Sequence, residues 1–142
     1  MAYMGAMIER DATLAGRLRA AGLRPTRQRL ALAAILYGAG DRHVSAEALH
    51  AEALAARASC SLATIYNTLN QFTRAGLLRE VAIEGDRSYF DTNTSNHCHY
   101  FLEGAGELID IPDADIEVKG LPELPAGTVV DRVDVIVRLR RG

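Results

Sequence analysis

The stretch SLATIYNTLNQFTRAGLLREVAIEGDRSYFD, from Ser61 to Asp91, limits the fold more than any other part of the chain. Read at the helical period, Leu62, Ile65, Leu69 and Phe72 fall in one narrow stripe between Ser61 and Ala75, while Ala63, Asn67, Asn70 and Gln71 face the other way with Thr64 and Tyr66 on the flanks. One face is made for a core. The other is uncharged hydrogen-bonding chemistry, where an ordinary solvated face would carry Lys and Glu; it suits a surface of mixed donors and acceptors such as base edges in a major groove. Gly76 stops the helix, and LLREVAIE and RSYFDTN then read as two short strands around a turn at Gly85-Asp86. Helix, stop and hairpin, in that order, describe a winged helix.

The residues ahead of this stretch supply the rest of such a domain. Asp11 to Ala21 reads as a short helix closed by Gly22. Pro25 and Thr26 open a second helix whose body, Leu30 to Tyr37, is apolar on nearly every side and is expected to be buried all round. Its first turn gathers Arg24, Arg27 and Arg29 at the positive end of the helix dipole, where phosphate oxygens are favoured. Ser45 is the expected N-cap of a third helix with Ala46, Leu49, Ala53 and Ala56 turned inward, and a short break at Ser59-Cys60 leads to the fourth. Helices three and four have the spacing of a helix-turn-helix with the second as reader, and Arg24, Arg27, Arg29, Arg79 and Arg87 could clamp the DNA backbone around it.

Charge divides the chain in the same sense. Residues 1–80 carry ten Arg against six acids, a balance of +4, and residues 81–142 carry six basic residues against twelve acids, a balance of −6. The basic half fits a phosphate backbone. With 49% apolar residues, no stretch of membrane-span length and no signal-peptide pattern at MAYMGAMIERDA, a cytoplasmic globular protein is expected. Cys60 and Cys98 are the only cysteines, so neither a disulfide framework nor a four-thiolate zinc site can be built within one chain. Any metal must be held by His and carboxylate.

In the acidic half, HCHYFLEG and GELIDIP read as strands, and VVDRVDVIVRLRR alternates Val133, Val135, Val137 and Leu139 against Arg132, Asp134, Arg138 and Arg140 as a half-buried third. A turn or so of helix fits around Asp113 to Val118. So little structure buries little core alone, and pairing with a second copy is the simple remedy; a dimer would also set two reading helices about one DNA turn apart. His97 and His99 flank Cys98, and alternate residues on a strand share a face, so both imidazoles can converge on one ion or one porphyrin iron while Cys98 points away.

Taken in order, GLRPTRQRL, HVSAEALHAEAL, SLATIYNTLNQFTRAGLL, GDRSYFD and HCHYF resemble the ferric uptake regulator family of metal-responsive repressors over nearly the whole chain. The resemblance implies an α+β protein: a winged-helix DNA-binding domain at residues 1–90, a hinge at 91–96, and a small α/β dimerisation and sensing domain at 97–142. It implies that Tyr66 touches bases and Arg24 enters the minor groove, with Thr26, Arg27, Ser61, Ala63, Thr64, Asn67, Gln71 and Arg87 completing the DNA surface; Asn67 stands where many relatives have Arg. It further implies a regulatory site of His43, Asp91, His97, His99 and Asp110, both acids being shorter than the usual Glu. Such a nitrogen and oxygen shell suits Mn, Fe or Zn without choosing among them.

Departures from the family pattern carry information too. Leu102 and Ala105 occupy the first of two CxxC positions and no cysteine follows, so the structural zinc site is absent; Val133 stands near the place of an accessory His beside Glu117. These losses resemble the iron response regulator branch, in which haem reports iron status, and there His97, Cys98 and His99 would be the haem-binding candidates. Haem and a divalent ion thus both remain as ligands, with double-stranded DNA and a homodimer or higher oligomer as partners. His50 reads as packing or surface and Cys60 as a small buried hydrophobe. Two other classes are an enzyme, which no glycine-rich loop or nucleophile elbow accompanies, and a winged-helix DNA binder without a sensor, which would have no use for imidazoles at both ends of the hinge.

Overall fold

The computed structural model describes residues 13–84, 87–111 and 116–142. The expected turn at Gly85-Asp86, the start of the first helix at Asp11 and the residue Asp113 lie outside the described residues. The chain divides into two compact units, the first running to Thr94 and the second from Ser95 to Gly142.

In the first unit residues 13–20 are helical (α1), followed by α2 (Arg27–Tyr37), β1 (His43–Val44), α3 (Ala46–Ala55), α4 (Leu62–Arg74), β2 (Arg79–Glu84) and β3 (Arg87–Asp91). Three helices begin the same way. Thr26, Ser45 and Ser61 hold extended backbone and accept with their hydroxyls from the N–H groups of Arg29, Ala48 and Thr64, satisfying donors that a helix start leaves open. Two helices also end alike. At Gly76 (φ 81°) the Leu77 N–H donates to the Phe72 carbonyl, and at Gly22 (φ 82°) the Leu23 N–H donates to that of Leu18, a left-handed closure at a position that suits glycine.

The core of this unit joins Leu14 and Leu18 of α1, Leu32 and Leu36 of α2, Leu49 and Ala53 of α3, Ile65, Leu69 and Phe72 of α4, and Leu78 and Phe90 from the β region. Each large side chain so enclosed contributes about 1.5–3 kcal/mol. The inward stripe of α4 is shifted from the expected one. Leu62 sits in the first turn and is exposed, whereas Thr68 is buried, its hydroxyl donating to the Thr64 carbonyl so that no polar group is stranded. Helix α2 is not buried all round: only Leu32, Ala33 and Leu36 are fully enclosed, because α1 and α3 cover part of its circumference. Ala56 is exposed, since α3 ends at Ala55 before the stripe returns inward.

The three strands form one antiparallel sheet in the order β1, β3, β2. The hairpin of β2 and β3 is the expected wing, with Glu84 opposite Arg87 and a register irregularity between Ala82 and Glu84. The two-residue β1 is new relative to the sequence reading, and it sets His43 opposite Asp91.

In the second unit β4 (Cys98–Leu102) lies between antiparallel β5 (Glu107–Ile111) and parallel β6 (Ile136–Leu139). The expected long third strand is cut short. Its pairing with β4 starts at His99 opposite Ile136, the Val135 carbonyl accepting from the His99 N–H, and the residues ahead of it lie outside the strand, with Val129, Val130 and Val133 exposed. Ile116 to Val118 are not helical. Among the described residues no helix is long and apolar enough to cross a membrane.

Candidate functional site

Two sets of imidazole and carboxylate groups emerge, one in each unit. In the first, the pairing of β1 with β3 brings His43 Nε2 to 3.7 Å from Asp91 Oδ2, and Asp91, 0% exposed, accepts at Oδ1 from the Asn93 N–H at 2.9 Å. Asp91 is the last residue of β3, not a loop residue. The backbone around His43 is fixed on both sides: Arg42 and Thr92 exchange backbone and hydroxyl hydrogen bonds, and the Arg42 guanidinium holds both oxygens of Glu52 on α3, at 2.9 and 3.0 Å.

In the second unit His99 on β4 stands opposite Asp110 on β5, and the Nε2 atoms of His97 and His99 each lie 3.2 Å from Asp110 Oδ1. Their rings are 4.4 Å apart at 59°. His97 Nδ1 lies 2.7 Å from the Ser95 carbonyl. A carbonyl can only accept, so Nδ1 carries the proton and a neutral His97 presents its Nε2 lone pair toward Asp110. Lone pair facing carboxylate is repulsive unless a cation lies between them or the ring takes a second proton. Cys98, next to His99 on β4, points to the opposite face and does not join this set. His97, His99 and Asp110 in the second unit, like His43 and Asp91 in the first, offer nitrogen and oxygen donors of the kind that suits a divalent ion of the Mn, Fe or Zn type.

The polar face of α4 forms the other candidate surface. Ala63, Tyr66, Asn67 and Gln71 are exposed and Thr64 is half-buried; Arg24, Thr26, Arg27 and Arg87 are exposed as well. Several of these side chains already have structural duties. The hydroxyls of Thr26 and Ser61 cap α2 and α4, and Gln71 Oε1 accepts from Arg29, whose other terminal nitrogen donates to the Arg24 carbonyl, tying the start of α2 to the reading face. Arg79 is buried, 5% exposed, and so does not reach a phosphate as expected. Tyr66 donates its hydroxyl to Glu47 Oε1 at 2.8 Å, a contact that the sequence pattern does not single out. That hydrogen bond, and one from the Glu47 backbone, hold the Glu47 carboxyl below its ordinary range. Between α3, α4 and β3 runs a groove of about 270 Å³ lined by Ser45, Glu47, Tyr66, Arg87, Ser88 and Tyr89.

Residues 20–125 match the family described as the ferric uptake regulator family. The chain belongs to the ferric uptake regulator family. It is a metal-responsive, DNA-binding transcription regulator of that family. The ferric uptake regulation protein of Shigella flexneri is 36% identical over 103 residues, covering 72% of this chain and 70% of the relative. Among solved structures, the ferric uptake regulator from Pseudomonas aeruginosa with manganese is similar at 25% identity and a TM-score of 0.67, covering 90% of this chain and 97% of that one. The Vibrio cholerae ferric uptake regulator, described as showing a rearrangement of its DNA-binding domains, shares the fold at a TM-score of 0.70 and 24% identity, covering 89% of this chain and 98% of that one. The ferric uptake regulator fold is thus the fold expected from the sequence: a winged helix followed by a small α/β unit.

Proposed function

We propose that this regulator senses a divalent ion through His43, Asp91, His97, His99 and Asp110, and that the outer face of α4, with Arg24, Thr26, Arg27 and Arg87 beside it, meets operator DNA. The observation that carries the sensing half is the convergence of His97 Nε2 and His99 Nε2 on one Asp110 oxygen, with the Ser95 carbonyl fixing the tautomer that leaves the His97 lone pair facing inward. A bound ion supplies coordination bonds to nitrogen and oxygen. The chain's own part is to hold the donors: β4 and β5 set His99 against Asp110, and β1 and β3 set His43 against Asp91. An ion that took donors from both units would link its own binding reciprocally to that of DNA. No structural zinc held by four thiolates accompanies the site, as the chain has two cysteines.

The operator is read by a homodimer in the cytoplasm, in the service of iron homeostasis. Support for the dimer comes from the apolar surface of the second unit, where Leu121, Leu124, Val129, Val130 and Val133 are exposed. A second reading is that iron is sensed as haem, as in the iron response regulator branch. It is favoured by the missing CxxC pairs and by the His97, Cys98 and His99 segment.

One experiment separates these readings. The purified chain is titrated with haem and, in parallel, with Mn, Fe and Zn, while retention of a duplex is recorded. Ion-dependent retention that His97→Ala/His99→Ala abolishes supports the divalent-ion reading; a haem absorption band that shifts and is lost in the same variant supports the second. Retention indifferent to every ligand would favour a DNA binder without a sensor.

A further inference from the structure

Glu47 is out of place on a surface that meets phosphates. It is exposed, and it carries the one negative charge among the described residues lining the groove between α3, α4 and β3. A carboxylate there repels a DNA backbone. Its position in the first turn of α3 favours an acid through the helix dipole, but the dipole does not account for the hydrogen bond that Glu47 accepts from Tyr66 on the next helix.

We propose that Glu47 is a positioning residue for base reading: by accepting the Tyr66 proton it fixes the aim of the phenol and makes its oxygen a hydrogen-bond acceptor, selecting an exocyclic amino group, on adenine or cytosine, at the base Tyr66 meets. The inference rests on the reading of α4 as the helix that faces DNA. A phenol has one proton and acceptor lone pairs on the same oxygen. With the proton held by Glu47 at 2.8 Å, the oxygen answers donors, and in the major groove those are the amino groups of adenine N6 and cytosine N4. A phenol released from Glu47 could rotate and donate to guanine O6, thymine O4 or a purine N7 equally well. The carboxylate therefore trades general affinity for discrimination at one base.

The test is selection from a randomised duplex library by the full chain, with and without manganese(II), followed by affinities for the four base variants at each selected position. Glu47→Ala is expected to reduce the preference for adenine or cytosine at one position about tenfold, the scale of a base-edge contact. Glu47→Gln keeps an acceptor oxygen and retains the preference while raising affinity for all duplexes. In a Tyr66→Phe background Glu47→Ala changes that preference no further. Thermal melts of each variant check that α3 stays folded. A motif that survives Glu47→Ala at every position, or a loss of preference that is the same with and without the Tyr66 hydroxyl, overturns the inference alone. An unsubstituted chain that selects no motif overturns the reading of α4, and the inference with it.

Discussion

Tyr37 donates its hydroxyl to the Leu77 carbonyl and lies under the Arg17 guanidinium, 4.1 Å from the ring centroid, so one side chain joins α1, the end of α2 and the approach to β2. Burial pushes its phenol up to about 12, with Arg17 opposing the rise. Between the ordinary value of 10.0 and about 12 the folded chain keeps a proton that the unfolded chain has lost. The contribution is therefore whole below the lower value and falls away as pH rises toward the upper one. Tyr37→Phe is expected to cost about 1 kcal/mol near neutral pH, and urea titrations of both proteins should show that difference shrinking as the solution is made strongly alkaline. At the residues proposed to hold the ion, His99→Ala should weaken manganese binding by about 100-fold or more, measured by calorimetry, given the cost of losing even an outer-shell partner. The nearness of His97 and His99 was legible from the alternation of a strand. The pairing of His43 with Asp91 was not, because it depends on a register between residues far apart in the chain.

Helix ends were legible for a local reason: Ser45, Thr26 and Ser61 announce starts, and Gly22 and Gly76 announce stops, through contacts that span only a few residues. Elements that need a distant partner were misjudged. β1 is too short for any periodicity to reveal, and the apolar alternation from Val129 onward carries no record of where β4 begins. Leu62 obeys the helical period yet faces solvent, since the period says which residues share a face but not where packing starts. The cap of α4 gives a direct check on the division between structural and reading duties. Ser61 Oγ accepts from the Thr64 N–H at 3.1 Å, so Ser61→Ala should lower stability by about 1 kcal/mol and the melting temperature by several degrees. Duplex affinities should fall together for all sequences, because the helix is loosened as a body. Selective loss at one base would instead make Ser61 a reader.

The molecule as a whole is asymmetric in charge and in core. The first unit has a continuous apolar interior, whereas the second encloses Phe101 and Leu108 and leaves Val129 and Leu121 in solvent. A unit of that size, Ser95 to Gly142, is small enough that a single core of its own is marginal. Burial against a second copy would remove the exposed apolar surface and would also bring two copies of α4 to one duplex. Two reading helices related by a twofold axis demand half-sites about 34 Å apart, one turn of DNA. Sedimentation of the unsubstituted chain should therefore give a dimer, and Val133→Asp, which sets a charge on that apolar surface, should shift it toward monomer. The same substitution should weaken binding to a duplex with two half-sites far more than to a duplex with one, since it removes the joint grip and leaves each reading face intact. Moving the half-sites apart by about half a turn, ~5 base pairs, should cost the unsubstituted dimer its advantage and leave the Val133→Asp chain indifferent. A monomeric unsubstituted chain with undiminished affinity for the paired sites would show that the second unit's apolar surface serves some contact other than self-association.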